Sequence, residues 1–179
     1  MPATGGPPID EINGSSEACA VVLALLFEGA PRFLARLCAA RPFGDVSTLF
    51  AVAREIAGSI PEAEQLELID AHPRLGAPPA SVSALSFVEQ GYDRLAGDPA
   101  AGDAEAERRR VTAELDRLNA TYEARFGFRY CVFVAGRPRS ALLPGFEAAL
   151  SADRRSEIAR ALEAVVDIGE DRWAQLARR

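Results

Sequence analysis

The chain of 179 residues contains no lysine, so all 20 of its basic side chains are arginine. A lysine Schiff base and the lysine of a phosphate-binding P-loop are therefore excluded. The 26 acidic residues outnumber the basic ones and give a formal net charge of −6. This balance argues against non-specific nucleic-acid binding, which needs a positive surface to displace counterions from phosphates.

Cysteine is also scarce. The three cysteines, Cys19, Cys38 and Cys131, form no Cys-x-x-Cys pair and are too few for a disulfide framework. Cys19 and Cys38 lie in apolar or alanine-rich stretches, so we expect small, buried, reduced side chains in a reducing compartment. No spacing of metal ligands is visible, and we expect no metal site.

Long hydrophobic runs are missing as well. The longest, residues 18–27, is shorter than the roughly 20 residues that span a bilayer. The N-terminus has no basic segment of the kind that opens a signal peptide. We therefore expect a cytoplasmic protein with no membrane partner.

The residues that are present indicate a helical domain. Apolar residues make up 49% of the chain, a share typical of a globular protein. Residues 1–15 are rich in glycine and proline and are predicted to be a flexible tail, with one domain over residues 16–179. Between residues 103 and 125, apolar side chains recur three or four positions apart, which predicts a long helix.

The sequence predicts an all-α fold, a single compact bundle of about eight helices. Residues 129–135 are the exception, since β-branched and aromatic side chains there predict a short extended or irregular segment without a partner strand. Helix starts are predicted from capping residues and prolines at Ser15 or Ser16, Pro31, Ser47, Pro61, Ser81 or Ser83, and Ser151.

His72 is the only histidine in the chain. Histidine is the side chain that titrates near neutral pH without help, so general acid–base chemistry has one obvious candidate. Pro73 follows it and stiffens the loop around the imidazole. The alternative is a capping or surface histidine at a helix end.

Two further stretches contain groups that could bind a ligand. Glu89 and Gln90 place a carboxylate beside an amide, a pair that can bind the N–H and C=O groups of a cyclic ureide, although a solvated helix face has the same pattern. Residues 130–134 can offer backbone groups to a ligand, or form an ordinary packed core segment.

Taken together, three motifs resemble a known family. They are AHPRLG at residues 71–76, SFVEQ at 86–90 and LNATYEARFGF at 118–128. In this order and spacing the sequence is similar to the family of 2-oxo-4-hydroxy-4-carboxy-5-ureidoimidazoline (OHCU) decarboxylases of urate degradation, over roughly residues 17–178. The resemblance implies an all-α fold and conversion of OHCU to (S)-allantoin without a cofactor, often in a homodimer.

The resemblance also implies the roles of individual residues. His72 would be the catalytic acid or base, with Glu89 beside it, and the carboxylate would favour the imidazolium form. Residues expected to bind the cyclic ureide are Pro73, Ser86, Phe87, Val88 and Gln90, together with Tyr130, Cys131, Val132, Phe133 and Val134, which would contact the ring largely through the backbone.

Two departures from the family pattern leave alternatives open. Tyr92 follows Gly91 where a small residue is usual, and Arg129 stands where another branch has proline. A bulky Tyr92 could reshape the pocket, so the same scaffold acting on a related ureide is one alternative. A non-catalytic helical interaction module is the other.

Overall fold

The computed structural model describes residues 9–93 and 102–178, with side chains in the second range from residue 105. These residues fall into two compact units. One comprises residues up to His72 together with those from Ile158 onward, and the other runs from Pro73 to Glu157. In the described residues all regular structure is helical, so the predicted all-α fold is confirmed.

In its described residues, the first unit contains five complete helices and most of a sixth. They are α1 (Ile9–Ile12), α2 (Ser16–Phe27), α3 (Pro31–Ala39), α4 (Val46–Ser59), α5 (Glu62–Asp70) and, from Ile158 onward, α9 (Arg154–Leu176). The rings of Phe27, Phe33 and Phe50 pack together in its core. Gly169 of α9 lies against Phe27, where a Cβ would come within 2.9 Å of the ring. The two helices approach this closely because position 169 has no side chain.

The second unit contains α6 (Ala84–Glu89), α7 (Gly102–Phe126) and α8 (Leu143–Ala149), with short 3-10 turns at Pro79–Ser81 and Arg139–Leu142. Its core is aromatic and centres on Tyr122 of α7. The Tyr122 ring packs against Phe126, Phe128, Tyr130 and Phe146, and its hydroxyl donates a hydrogen bond to the buried Glu157 carboxylate at 2.7 Å.

Capping side chains explain where several helices begin. Ser15 accepts a hydrogen bond from Ala18 N and Ser83 from Ser86 N, as expected. At α4 the predicted cap is wrong, because Asp45 rather than Ser47 accepts from the backbone, at Thr48 N. At α9 the cap is Asp153 rather than Ser151, since Asp153 accepts from Ser156 N. In both cases the carboxylate lies two residues from the predicted serine and is a stronger hydrogen-bond acceptor than its hydroxyl.

The prediction for Cys19 and Cys38 is only half right. Both side chains are buried, but they are joined by a disulfide between α2 and α3, with Cα atoms 6.0 Å apart. The two helices form a hairpin that brings positions 19 residues apart into contact. This pairing depends on tertiary packing, which a search for short Cys-x-x-Cys spacings does not detect.

Part of the predicted tail is packed into the first unit. Ile12 of α1 is fully buried, and the Asn13 side chain exchanges two hydrogen bonds of 2.8 Å with the backbone of Phe43. The prediction of a flexible tail is therefore wrong for residues 9–15, and residues 1–8 lie outside the described range.

Candidate functional site

His72 lies just beyond the C-terminal end of α5. Its backbone N–H donates to Ile69 O, which continues the helical turn, and its Nδ1 lies 3.3 Å from Leu68 O. Only 3% of the residue is exposed, so the alternative of a surface histidine is wrong. A carbonyl contact at Nδ1 favours the tautomer that has its proton there.

The surroundings of His72 keep its imidazole neutral. Burial, and after it the charge of the Arg172 guanidinium, lower the pKa of His72 from 6.5 to about 4. The Glu28 carboxylate and the Leu68 carbonyl act in the opposite direction but do not compensate. The expectation of an imidazolium is therefore wrong at pH 7, where this side chain can accept a proton rather than donate one.

Arg172 is a functional candidate that sequence reasoning missed. Only 1% of this residue is exposed, and its Nη2 forms an ion pair with the Glu28 carboxylate at 2.9 Å. Its Nη1 contacts the carbonyls of Leu25 and Leu26 at the end of α2, at 3.4 and 3.3 Å. A signal was present in the sequence, because Arg172 stands in the apolar stripe of α9 formed by Ile158, Leu162, Val165, Gly169 and Leu176.

In the second unit, Gln90 fastens the loop that follows His72. Its Oε1 accepts from Gly76 N at 2.8 Å, and its Nε2 donates to Arg74 O at 3.2 Å. A carboxamide can make about four hydrogen bonds, so these two occupy half of its capacity. Gly76 has a positive φ of 83° and lies against Leu115, which leaves little room for another residue there.

The other predicted residues of α6 differ in burial. Ser86 is almost fully buried, whereas Phe87, Val88 and Glu89 are half-buried. The helix ends at Glu89, because Gly91 adopts a positive φ of 74°. Pro73, also half-buried, begins the unit.

Tyr92 has a structural contact that accounts for its size. It is buried, and its hydroxyl donates to Ala77 O in the same loop. The Arg139 guanidinium lies over the Tyr92 ring, 4.0 Å from its centroid, and donates to Gln90 O at 3.3 Å. Tyr92 therefore contacts Ala77 and Arg139 directly, and it is linked to Gln90 through Arg139.

Residues 129–135 were predicted to be extended or irregular, and the structure shows an irregular segment, with no strand in residues 129–134. Tyr130, Cys131 and Val134 are buried, and Val132 and Phe133 are half-buried. The Tyr130 ring stacks on Phe146 with centroids 3.7 Å apart. Within the second unit, the structure thus gives the predicted binding residues fixed, largely buried positions. That His72 faces Glu89 stays a prediction.

The described residues contain neither a group of metal ligands nor a membrane-spanning helix. No three histidine, cysteine or acidic side chains in residues 9–93 and 102–178 come together in a way that suits a metal ion. No helix in these two ranges is both long and apolar enough to span a bilayer.

Comparisons with known proteins place these features in context. A family model described as OHCU decarboxylase matches residues 13–174. The 2-oxo-4-hydroxy-4-carboxy-5-ureidoimidazoline decarboxylase of Haloferax volcanii is 28% identical over 150 residues, which are 84% of this chain and 83% of that protein. The protein of the same name from Amia calva is 30% identical over 69% of this chain and 61% of its own.

Longer proteins also match. The uric acid degradation bifunctional protein PucL of Bacillus subtilis is 28% identical over 94% of this chain, which spans 32% of PucL. Among solved structures, OHCU decarboxylase crystallised in the presence of (S)-allantoin superposes with a TM-score of 0.67 at 20% identity, over 93% of this chain and all of the other. An (S)-allantoin synthase gives a TM-score of 0.64 at 20% identity, over 94% and 52% of the two chains.

Proposed function

Because the chain belongs to the OHCU decarboxylase family, we propose that it converts OHCU to (S)-allantoin with loss of CO₂. The family match and the relatives confirm the predicted family and the predicted class of enzyme, a decarboxylase of urate degradation. The single observation that supports a proton-transfer role for this chain's own residues is the buried, neutral imidazole of His72.

The chemistry of the substrate makes a small catalytic apparatus sufficient. The carbon that loses CO₂ also has a hydroxyl group and adjoins a ring C=N bond. When the bond to the carboxylate breaks, its electron pair moves toward the C=N bond, and the ring nitrogen takes up a proton from the solvent. The substrate thus provides the electron sink that other decarboxylases obtain from a cofactor, and we propose that none is required.

His72 is proposed to act first as a base. Its neutral imidazole accepts the proton of the substrate hydroxyl as the C=O bond of the product forms. The imidazolium then returns a proton to one face of the neighbouring ring carbon, which fixes the stereochemistry. A bound substrate carboxylate favours the imidazolium, so the anionic substrate strengthens the base that acts on it.

Glu89 and the predicted binding residues are proposed to hold the ureide. The Glu89 carboxylate accepts from substrate N–H groups, and the remaining hydrogen-bonding capacity of Gln90 adds to this contact. Pro73, Ser86, Phe87, Val88 and residues 130–134 form the walls. Support comes from the buried or half-buried positions of these residues and from the rigid loop that Gln90 fastens.

We further propose a homodimer and a cytoplasmic location. Val21 and Leu25 of α2 are 60% and 49% exposed, and this apolar pair favours a homodimer. Sedimentation of the wild type and of Leu25→Arg tests this, since a dimer through α2 dissociates in the variant. A cytoplasmic location fits the metabolic relatives and is tested by fractionating cells that express the protein.

The test of activity is direct. OHCU is generated in situ from urate by oxidation and hydrolysis, and the appearance of optically active allantoin is followed by circular dichroism. We expect His72→Asn to lose a factor of about 10² to 10⁴ in rate, the usual contribution of a general acid or base. Glu89→Gln should lose activity as well, whereas the matched control Glu163→Gln, on an exposed ion pair of α9, should keep it.

Two outcomes would contradict the proposal. Wild-type protein that does not accelerate allantoin formation, yet melts at a higher temperature in the presence of another cyclic ureide, points to a related substrate. A folded protein with neither activity nor ligand binding is a non-catalytic module.

A further inference from the structure

Glu28 has an unusual backbone conformation at the end of α2. Its φ is 56° and its ψ is −140°, a region that residues with a side chain rarely adopt. Gly29 follows directly and does not take the positive φ itself. Such a conformation is unfavourable and persists only where surrounding contacts require it, often at functional sites.

The contact that Glu28 makes explains this position. Its carboxylate lies 2.9 Å from Nη2 of Arg172, while the carbonyls of Leu25 and Leu26 contact Nη1 of the same guanidinium. All three acceptors belong to the end of α2. A planar guanidinium held at two of its nitrogens has little freedom to rotate, so the end of α2 fixes its orientation.

We propose that Glu28 is a positioning residue for His72 and acts through Arg172, which its carboxylate holds in one orientation inside the first unit. The inference rests on the proposed function, because it assigns Glu28 a part in the same reaction. Glu28 is not expected to touch the substrate.

The two charges act on the imidazole in opposite directions. In the described part of the chain, the charged groups that act on it are Arg172 of α9 and Glu28 at the end of α2, and the Leu68 carbonyl of α5 is a polar neighbour. The guanidinium lowers the pKa of His72 and the carboxylate raises it. Without Glu28 the buried cation stands uncompensated, the imidazole becomes a weaker base and proton abstraction slows.

The lone histidine makes this measurable without substrate. In a pH titration followed by NMR, the imidazole signals belong to His72 because the chain has no other histidine. We expect Glu28→Gln to move the midpoint of the His72 titration to lower pH than in the wild type, and Arg172→Gln to move it to higher pH. The control Glu163→Gln should leave it unchanged.

A purely structural role of the pair predicts a different pattern. Loosening of the site admits water, so both variants would shift toward the ordinary histidine pKa of about 6.5. A midpoint that rises or stays constant in folded Glu28→Gln overturns the proposal. If that variant does not fold, Glu28→Asp provides the test. The midpoint of its His72 titration should lie at lower pH than in the wild type, and an unchanged or higher midpoint overturns the proposal.

Kinetics separate this inference from the proposed function. In the allantoin assay, Glu28→Gln should lose about tenfold in kcat, a part of the full acid–base contribution, with little change in KM, and Glu28→Asp should recover some of it. An inactive wild type contradicts the function but leaves the titration test intact. An active wild type whose two variants shift in the same direction contradicts only the role of Glu28.

Discussion

Helix α9 has two arrangements of charge that differ in burial. Arg172 is almost fully buried and pairs with Glu28, whereas Glu163, Asp167 and Glu170 surround Arg54 with their side chains 43–63% exposed. The exposed group has three ion pairs among the described residues, but water and salt screen each of them. The charges of the buried pair act on the imidazole of His72. Burial, more than the number of pairs, determines the energetic and functional weight of a charge on this helix.

The largest effect is expected at the buried pair. Arg172→Gln leaves the Glu28 carboxylate without its cation and removes donors from two helix-end carbonyls. We expect a loss of about 3–5 kcal/mol in the free energy of unfolding, as for other buried pairs that lose one partner. Urea denaturation measures this. A loss below about 1 kcal/mol would mean that the pair behaves like an exposed one.

The second effect is a pH dependence of stability. Because the pKa of His72 is lowered from 6.5 to about 4, the unfolded chain takes up a proton between these pH values and the native protein does not. The contribution of His72 to the free energy of unfolding, about 3 kcal/mol, is fully present above pH 6.5 and is lost as the pH falls toward 4.

The measurement compares the wild type with His72→Gln at each pH. Subtracting the two unfolding curves removes the titration of the carboxylates, which overlaps the lower part of this range. A difference between the proteins that does not change from pH 7 to pH 4.5 would show that the imidazole is not kept neutral by its surroundings.

A neutral donor in the second unit should have an intermediate effect. Tyr122→Phe keeps the aromatic packing but removes the hydrogen bond to the Glu157 carboxylate. We expect a loss of about 1–3 kcal/mol, the usual cost for a buried bond of this type. Thermal unfolding of the variant, with Thr121→Val on the exposed side of α7 as a control, provides the comparison.

The smallest effect is expected at the exposed cluster. Arg54→Gln breaks three ion pairs at once, yet it should cost only about 0–1 kcal/mol, and less still in 1 M salt. Denaturation at low and high salt checks this. A cost as large as that of Arg172→Gln would remove the distinction between the two regions of α9.

Local patterns were sufficient to predict much of the fold. The start of α2 at Ser16, the proline at the start of α3 and the period of α7 are all properties of a few consecutive residues, and the structure agrees with them. The disulfide between Cys19 and Cys38 was missed because it depends on how two helices pack. The same holds for residues 9–15, whose burial depends on Phe43.

The candidate site was predicted unevenly for a related reason. His72 was identified because it is the only histidine, and Gln90 because it belongs to a recognisable motif. Arg172 was not identified, since an arginine between Asp171 and Trp173 resembles an ordinary surface residue. Only its register within the apolar stripe of α9 distinguishes it. The protonation state of His72 was predicted with the wrong sign because burial, which the sequence does not show, outweighs a nearby carboxylate.

Gly169 links this chemistry to the variation expected among related sequences. The glycine lets α9 approach Phe27 closely. Arg172 lies one turn further along α9, where it contacts a carbonyl at the end of α2. An alanine at position 169 would therefore have to be matched by a smaller side chain at position 27. Homologues that retain the arginine should vary at these two positions together, and a survey in which they vary independently would show that this close approach is not needed.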